Sequence, residues 1–178
     1  MTKLVVFFFL KLGLELKCSL LMAPPPIKVH ASSPENPEEA SFFESFEAAH
    51  SLHDLSSSIA NVLLSLSLCV LTQKLGVKAP PARIDSQAKY GALSRGDGAI
   101  YLRFPHKGYR EKISDHAAGA IVVTEAGDVV TDAGGNPLDF FKGWYLDLDT
   151  GMFVTNPKLM PMLLKAVRES LDEKASSL

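Results

Sequence analysis

Cysteine is scarce in this sequence, with Cys18 and Cys69 the only two among 178 residues. They stand far apart, without the close pairs of a zinc site or the density of a small disulfide-stapled secreted domain, and they fit a reducing compartment. Surplus positive charge is missing too. Eighteen Lys and Arg stand against 20 Asp and Glu, for a net charge of -2. That balance gives no electrostatic hold on a polynucleotide, so no nucleic-acid partner is expected. Long unbroken apolar runs are also absent. Met1 to Met22 is apolar and contains Val5 to Leu10, but Lys11, Glu15 and Lys17 interrupt it short of the roughly 20 residues that span a bilayer. No small-residue cleavage site follows cleanly, as a signal peptide would need. A membrane partner is therefore not expected, and anchoring through Met1 to Met22 is a third reading that fractionation tests. No internal repeat is visible.

What is present is the composition of an ordinary soluble protein, 47% hydrophobic and 21% charged, in a length that suits one domain with a core. Ala23 to Ala40 holds Pro24, Pro25, Pro26, Pro34 and Pro37 among Ser, Asn and Glu. It reads as a linker of extended, unpacked backbone, which divides the chain into residues 1–40 and 41–178. Ser41 to Ala49 suggests a strand and loop, and His50 to Asp54 opens a helix through Ser57 to Ala60. Val62 to Leu71 is almost wholly Val, Leu and Ser, with no polar face. Short strands are predicted at Arg83 to Asp85, Ala99 to Phe104, Asp128 to Thr131 and Met152 to Thr155. Helices are predicted at Gln87 to Leu93, Asp115 to Glu125 with Gly127 closing it, and Pro157 to about Lys174. Strands alternating with helices predict a layered α/β fold.

Three clusters carry candidate chemistry. In Asp85 to Tyr90 a strand end feeds a helix start. Ser86 would cap the helix with its hydroxyl toward a bound phosphate, and Lys89 would add charge; a capped helix with a solvated lysine is the plainer alternative. Arg103 sits inside an apolar strand, where it must point outward or find an anion. Alternation makes an exposed face the default and a phosphate the sharper alternative. Asp115 lies at the first turn of a small-residue helix, as a magnesium-binding carboxylate or as an acid favoured by the helix dipole. Two further motifs read as loop residues: Arg95-Gly96-Asp97, a turn before a strand, and Asp149-Thr150-Gly151, which lacks the second copy an aspartic-protease dyad needs.

Glu47-Ala48-Ala49-His50-Ser51, Asp85 to Tyr90, Ala99 to Arg103 and Asp115-His116-Ala117-Ala118-Gly119 occur in that order. Together they resemble the C-terminal part of the 3'(2'),5'-bisphosphate nucleotidases, particularly the plant type, within the inositol monophosphatase superfamily. The resemblance runs from about Asn36 to Leu178 and implies the C-terminal α/β lobe of that phosphatase fold. It also implies a magnesium-dependent, lithium-sensitive phosphatase. Such an enzyme takes adenosine 3',5'-bisphosphate to AMP and also acts on 3'-phosphoadenylyl sulfate, with inositol 1,4-bisphosphate as a side substrate of some members. By motif, His50, Ser86, Lys89 and Arg103 would contact the nucleotide, and Asp115 would bind both substrate and metal. The implied compartment is intracellular, family members residing in chloroplast, mitochondrion or cytosol.

Three departures from the family pattern set further expectations. The first-lobe glutamate and the Asp-Pro-Ile/Leu-Asp-Gly-Thr motif that bind most of the magnesium are not in this sequence, so a lobe truncated of its partner, and inactive alone, is expected. Ser114 stands where the family has Trp, which removes a large packing group beside Asp115. Val62 to Gln73 interrupts what relatives join directly, with residues 62–73 readable as a retained intron or gene-model error because valine codons begin GT and one glutamine codon ends AG. The competing readings are an active nucleotidase completed by another chain and a catalytically dead nucleotide-binding or regulatory fragment.

Overall fold

In the computed structural model of the protein, residues 28–46, 52–60, 75–85, 87–148 and 150–176 are described. Five strands rich in Phe, Ile, Val and Tyr form one mixed sheet in the order β2-β1-β3-β7-β5. β1 (Phe42–Ser45) lies between β2 (Ala82–Ile84) and β3 (Ile100–Arg103), parallel to both. β7 (Met152–Thr155) runs antiparallel between β3 and β5 (Val129–Asp132). β2 is three residues long and follows Pro80 and Pro81, while β5 is bridged on by Pro137 opposite Thr131.

Side chains along each strand alternate between two faces. Phe42, Ile100, Leu102 and Phe153 pack with Ile59 of α1 (His53–Ala60) and with Leu163 and Val167 of α4 (Met160–Ser176). Phe43, Tyr101, Met152 and Val154 pack with Tyr90 and Leu93 of α2 (Ala88–Ser94) and Val123 of α3 (Ala117–Ala126). The result is helix, sheet, helix in three layers. Gly119 of α3 lets that helix approach α2 closely, since a Cβ there would come within 2.3 Å of the Tyr90 ring.

Several boundaries differ from the sequence reading for local reasons. α3 starts two residues after Asp115, because Ile113–Asp115 forms a 3-10 turn and His116, at φ -131° and ψ -32°, separates the two. Gly127 closes α3 in the left-handed region at φ 112°, as expected. α4 begins at Met160 rather than Pro157, after Asn156 Oδ1 has accepted the amides of Lys158 and Leu159 at 2.9 and 3.0 Å. A ribbon of β4 (Glu111–Lys112) and β6 (Tyr145–Leu146) was not foreseen, because two-residue strands are too short to show a period.

The described part of the proline-rich stretch, residues 28–40, is neither wholly extended nor unpacked, since Pro37–Glu39 forms a 3-10 turn with Asn36 Oδ1 accepting the Glu38 amide at 3.1 Å. The Ala31 amide donates to Ala126 O at 3.0 Å, Asn156 Nδ2 donates to Pro34 O at 3.3 Å, and Ala40 is buried. Prolines forgo an amide donor yet keep their carbonyls, and that of Pro34 is used by Asn156 just ahead of α4. Met1 to Met22, Val62 to Gln73 and Asp149 lie outside the described residues. Among the described residues no helix is long and apolar enough to cross a membrane.

Candidate functional site

β3 is covered by helices on both faces, so Arg103 at its end is only 7% exposed, and the outward-facing default read from alternation does not hold. Its guanidinium donates from Nε to Glu111 Oε1 at 2.5 Å and from Nη2 to Oε2 at 2.9 Å, a bidentate pair, and from Nη1 to Ser45 Oγ at 2.7 Å. Glu111, buried on β4, also faces His116 Nε2 at 3.0 Å. Burial raises the Glu111 carboxyl, but hydrogen bonds from His116 and Arg103 outweigh it and hold the group below the usual carboxylate range. On the far side of the imidazole, His116 Nδ1 lies 2.8 Å from Tyr90 Oη, which is 3.6 Å from Met152 Sδ. With Glu111 ionised, His116 donates from Nε2 to its carboxylate.

Lys89 is buried rather than solvated. Its Nζ donates to Ile84 O at 2.9 Å and stands 5.3 Å from the centroid of the Tyr101 ring. Burial first, and then the charge of Arg103, push its ammonium down to about 8. Asp115 ends the 3-10 turn, exposed, with Oδ1 accepting Ser114 Oγ at 3.1 Å. Gln87 Nε2 donates to Ser114 O at 3.1 Å, which ties the start of α2 to that turn. The N-cap of α2 is Gln87, in a helical conformation and without a side-chain cap bond.

Lys89, Arg103 and the turn of Asp115 thus come together at one end of the sheet, while His50 and Ser86 lie outside the described residues. Glu111 was missed by the sequence reading, and Tyr90 and His116 were read only as parts of motifs. The signal was Arg103 itself, a buried cation that needs a carboxylate, with Glu111 eight residues on. The buried members Lys89, Arg103 and Glu111 sum to one positive charge, and the exposed Asp85 carboxylate also acts on Lys89 from the edge of the cluster. Elsewhere, Asp128 is buried with no hydrogen-bond partner for either carboxylate oxygen among the described residues, and desolvation pushes it up to about 7.

Magnesium prefers about six oxygen ligands in a fixed octahedron. Among the described residues no group of three or more His, Cys, Asp and Glu could hold a metal ion, and Asp115 offers a single exposed carboxylate. Those residues alone do not fit a magnesium centre.

This three-layer arrangement with its mixed five-stranded sheet is shared with proteins of the inositol monophosphatase fold. The Thermotoga maritima IMPase superposes with a TM-score of 0.57 at 17% identity, over 84% of this chain and 48% of that one. The inositol monophosphatase of Anabaena does so at 0.51 and 17%, over 79% and 50%. The inositol monophosphatase family model matches residues 18–172, and the chain belongs to that family. The matched stretch includes all of the segment read as linker. Among relatives, a 3'(2'),5'-bisphosphate nucleotidase of Oryza sativa is 61% identical over 167 residues, 94% of this chain and 43% of the relative. 3'(2'),5'-Bisphosphate nucleotidase 1 of Arabidopsis thaliana is 71% identical over 155 residues, 86% and 40%. The chain therefore spans less than half the length of these relatives.

Proposed function

We propose that these residues form the substrate-side lobe of a 3'(2'),5'-bisphosphate nucleotidase, binding adenosine 3',5'-bisphosphate or 3'-phosphoadenylyl sulfate without hydrolysing it alone. The observation that carries this reading is the buried cluster of Lys89, Arg103 and Glu111, whose surplus positive charge suits a phosphate. Lys89 supplies the nearest charge. Arg103, largely committed to Glu111 and Ser45, adds its field beside it. His50 and Ser86 complete the nucleotide contacts, and Asp115 contributes to substrate binding and one ligand to a magnesium ion held chiefly by other groups. Inositol bisphosphates are the second substrate class, and a regulatory role toward a full-length relative is compatible with binding alone.

The test is calorimetric titration of the chain with adenosine 3',5'-bisphosphate, AMP and inorganic phosphate, beside a phosphate-release assay with magnesium, with and without lithium. Binding of the bisphosphate without turnover is expected. Soluble, folded chain that binds none of the three would sink the nucleotide reading. Lithium-sensitive turnover would overturn the inactive part of it.

A further inference from the structure

The chain of bonds through Glu111 reaches farther than one ion pair requires. A carboxylate alone would neutralise Arg103, yet Glu111 Oε2 also bonds His116 Nε2 at 3.0 Å, and His116 Nδ1 meets Tyr90 Oη at 2.8 Å. His116 directly follows Asp115, and Tyr90 directly follows Lys89. The chain therefore joins Arg103 itself to the backbone neighbours of the other two candidate ligands, from β3, the α3 start and α2. Arg103, Glu111, His116 and Tyr90 are all buried, so water does not compete for these bonds. A buried charge pair adds little net stability over an apolar equivalent, so stability alone does not account for it.

We propose that Glu111 and His116 are positioning residues: their buried hydrogen-bond chain holds the Arg103 guanidinium, the Asp115 turn and the first turn of α2 in one alignment for an anionic ligand. The proposal rests on the anion-binding reading above. The chain fixes the Nε2–H tautomer of His116, and the imidazole in turn keeps the Glu111 carboxylate flat against the guanidinium fork. Each of the three ligand-bearing elements is then set by a partner from another.

The test uses the whole 178-residue chain and its E111Q, H116L and H116Q variants, titrated with adenosine 3',5'-bisphosphate and followed by 15N spectra of the imidazole and guanidinium. Positioning predicts about tenfold weaker binding in E111Q and H116L, with H116Q, whose amide still donates to Glu111, recovering most of the loss. A Glu111 that only balances charge gives the opposite sign, since removing a negative charge tightens anion binding. Tighter binding by E111Q, or unchanged binding by H116L, overturns the proposal. If the unaltered chain binds no bisphosphate, the functional reading falls by itself, and the positioning claim is judged from the spectra. It expects an Nε2–H tautomer in the unaltered chain, and an Arg103 Nε proton protected from exchange in the unaltered chain and in H116Q, with about tenfold less protection in H116L. Equal protection in all three, or an Nδ1–H tautomer, overturns it.

Discussion

Asp128 and Lys89 carry charge where burial opposes it, and each gives the chain a pH dependence of known sign. Burial pushes the Asp128 carboxyl up to about 7 in the fold from its ordinary value of 3.8, so between those values the folded state holds a proton that the unfolded state has lost. Stability then falls as pH rises from about 4 to 7 and stays low above it. D128N is expected to stabilise the fold at pH 8 by up to about 4 kcal/mol if the burial penalty is fully relieved, read as a higher denaturant midpoint. The gain should vanish near pH 4; a midpoint equal to the parent's at both pH values would contradict this. Lys89 shows the other sign. Burial, then Arg103, lower its ammonium to about 8, so the folded state is the proton-poor one between 8 and 10.5, and this residue's contribution to stability rises through that window. Bisphosphate affinity, in contrast, should drop above pH 8 as the charge is lost, a trend that calorimetry at pH 7 and 9 reads and that K89M should abolish. These two residues were unevenly legible. Lys89 announced itself by following a strand–helix junction, but nothing in Gly127-Asp128-Val129 marks a carboxylate that tertiary packing will bury.

The elements themselves were largely visible in the pattern of apolar residues. Met152 to Thr155 is a strand with the expected limits, and Ala117-Ala118-Gly119-Ala120 did mark a helix packed closely on another. What escaped notice depends on distant pairing: the two-residue ribbon of β4 and β6, and through it the placement of Glu111 against Arg103. Close packing of α2 on α3 makes one substitution diagnostic. Gly to Ala inside a helix ordinarily stabilises by roughly 1 kcal/mol. At Gly119 the added carbon would lie 2.3 Å from a Tyr90 ring atom, and that ring is pinned through its hydroxyl to His116. G119A is therefore expected to destabilise by about 1–3 kcal/mol and to disturb the His116 imidazole resonances. Stabilisation with unchanged resonances would mean that the two helices have room to separate.

Across the molecule as a whole, large aromatics remain uncovered where the ribbon meets its preceding turn. Phe141 is 100% and Trp144 86% exposed, with Tyr145 stacked under Arg110 at 4.3 Å beside them. Trp144 is the chain's single tryptophan, so its emission reports on this tip alone. Emission close to that of indole in water is expected at low concentration, shifting blue as the chain self-associates, and the F141S/W144S pair should suppress that association in sedimentation velocity. A blue-shifted dilute spectrum would show that the tip is already covered. Association at this tip should also stay limited in kind, for a reason that lies at the margins of the sheet. Among the described residues the outermost strands, β2 and β5, are three and four residues long, the first led in by Pro80 and Pro81 and the second bridged by Pro137. Prolines cannot donate to a further ladder, and strands so short give an incoming backbone little to pair with. Whatever clusters this lobe forms should thus be discrete, salt-insensitive and dispersible by mild detergent, and not growing polymers built by strand donation from copy to copy.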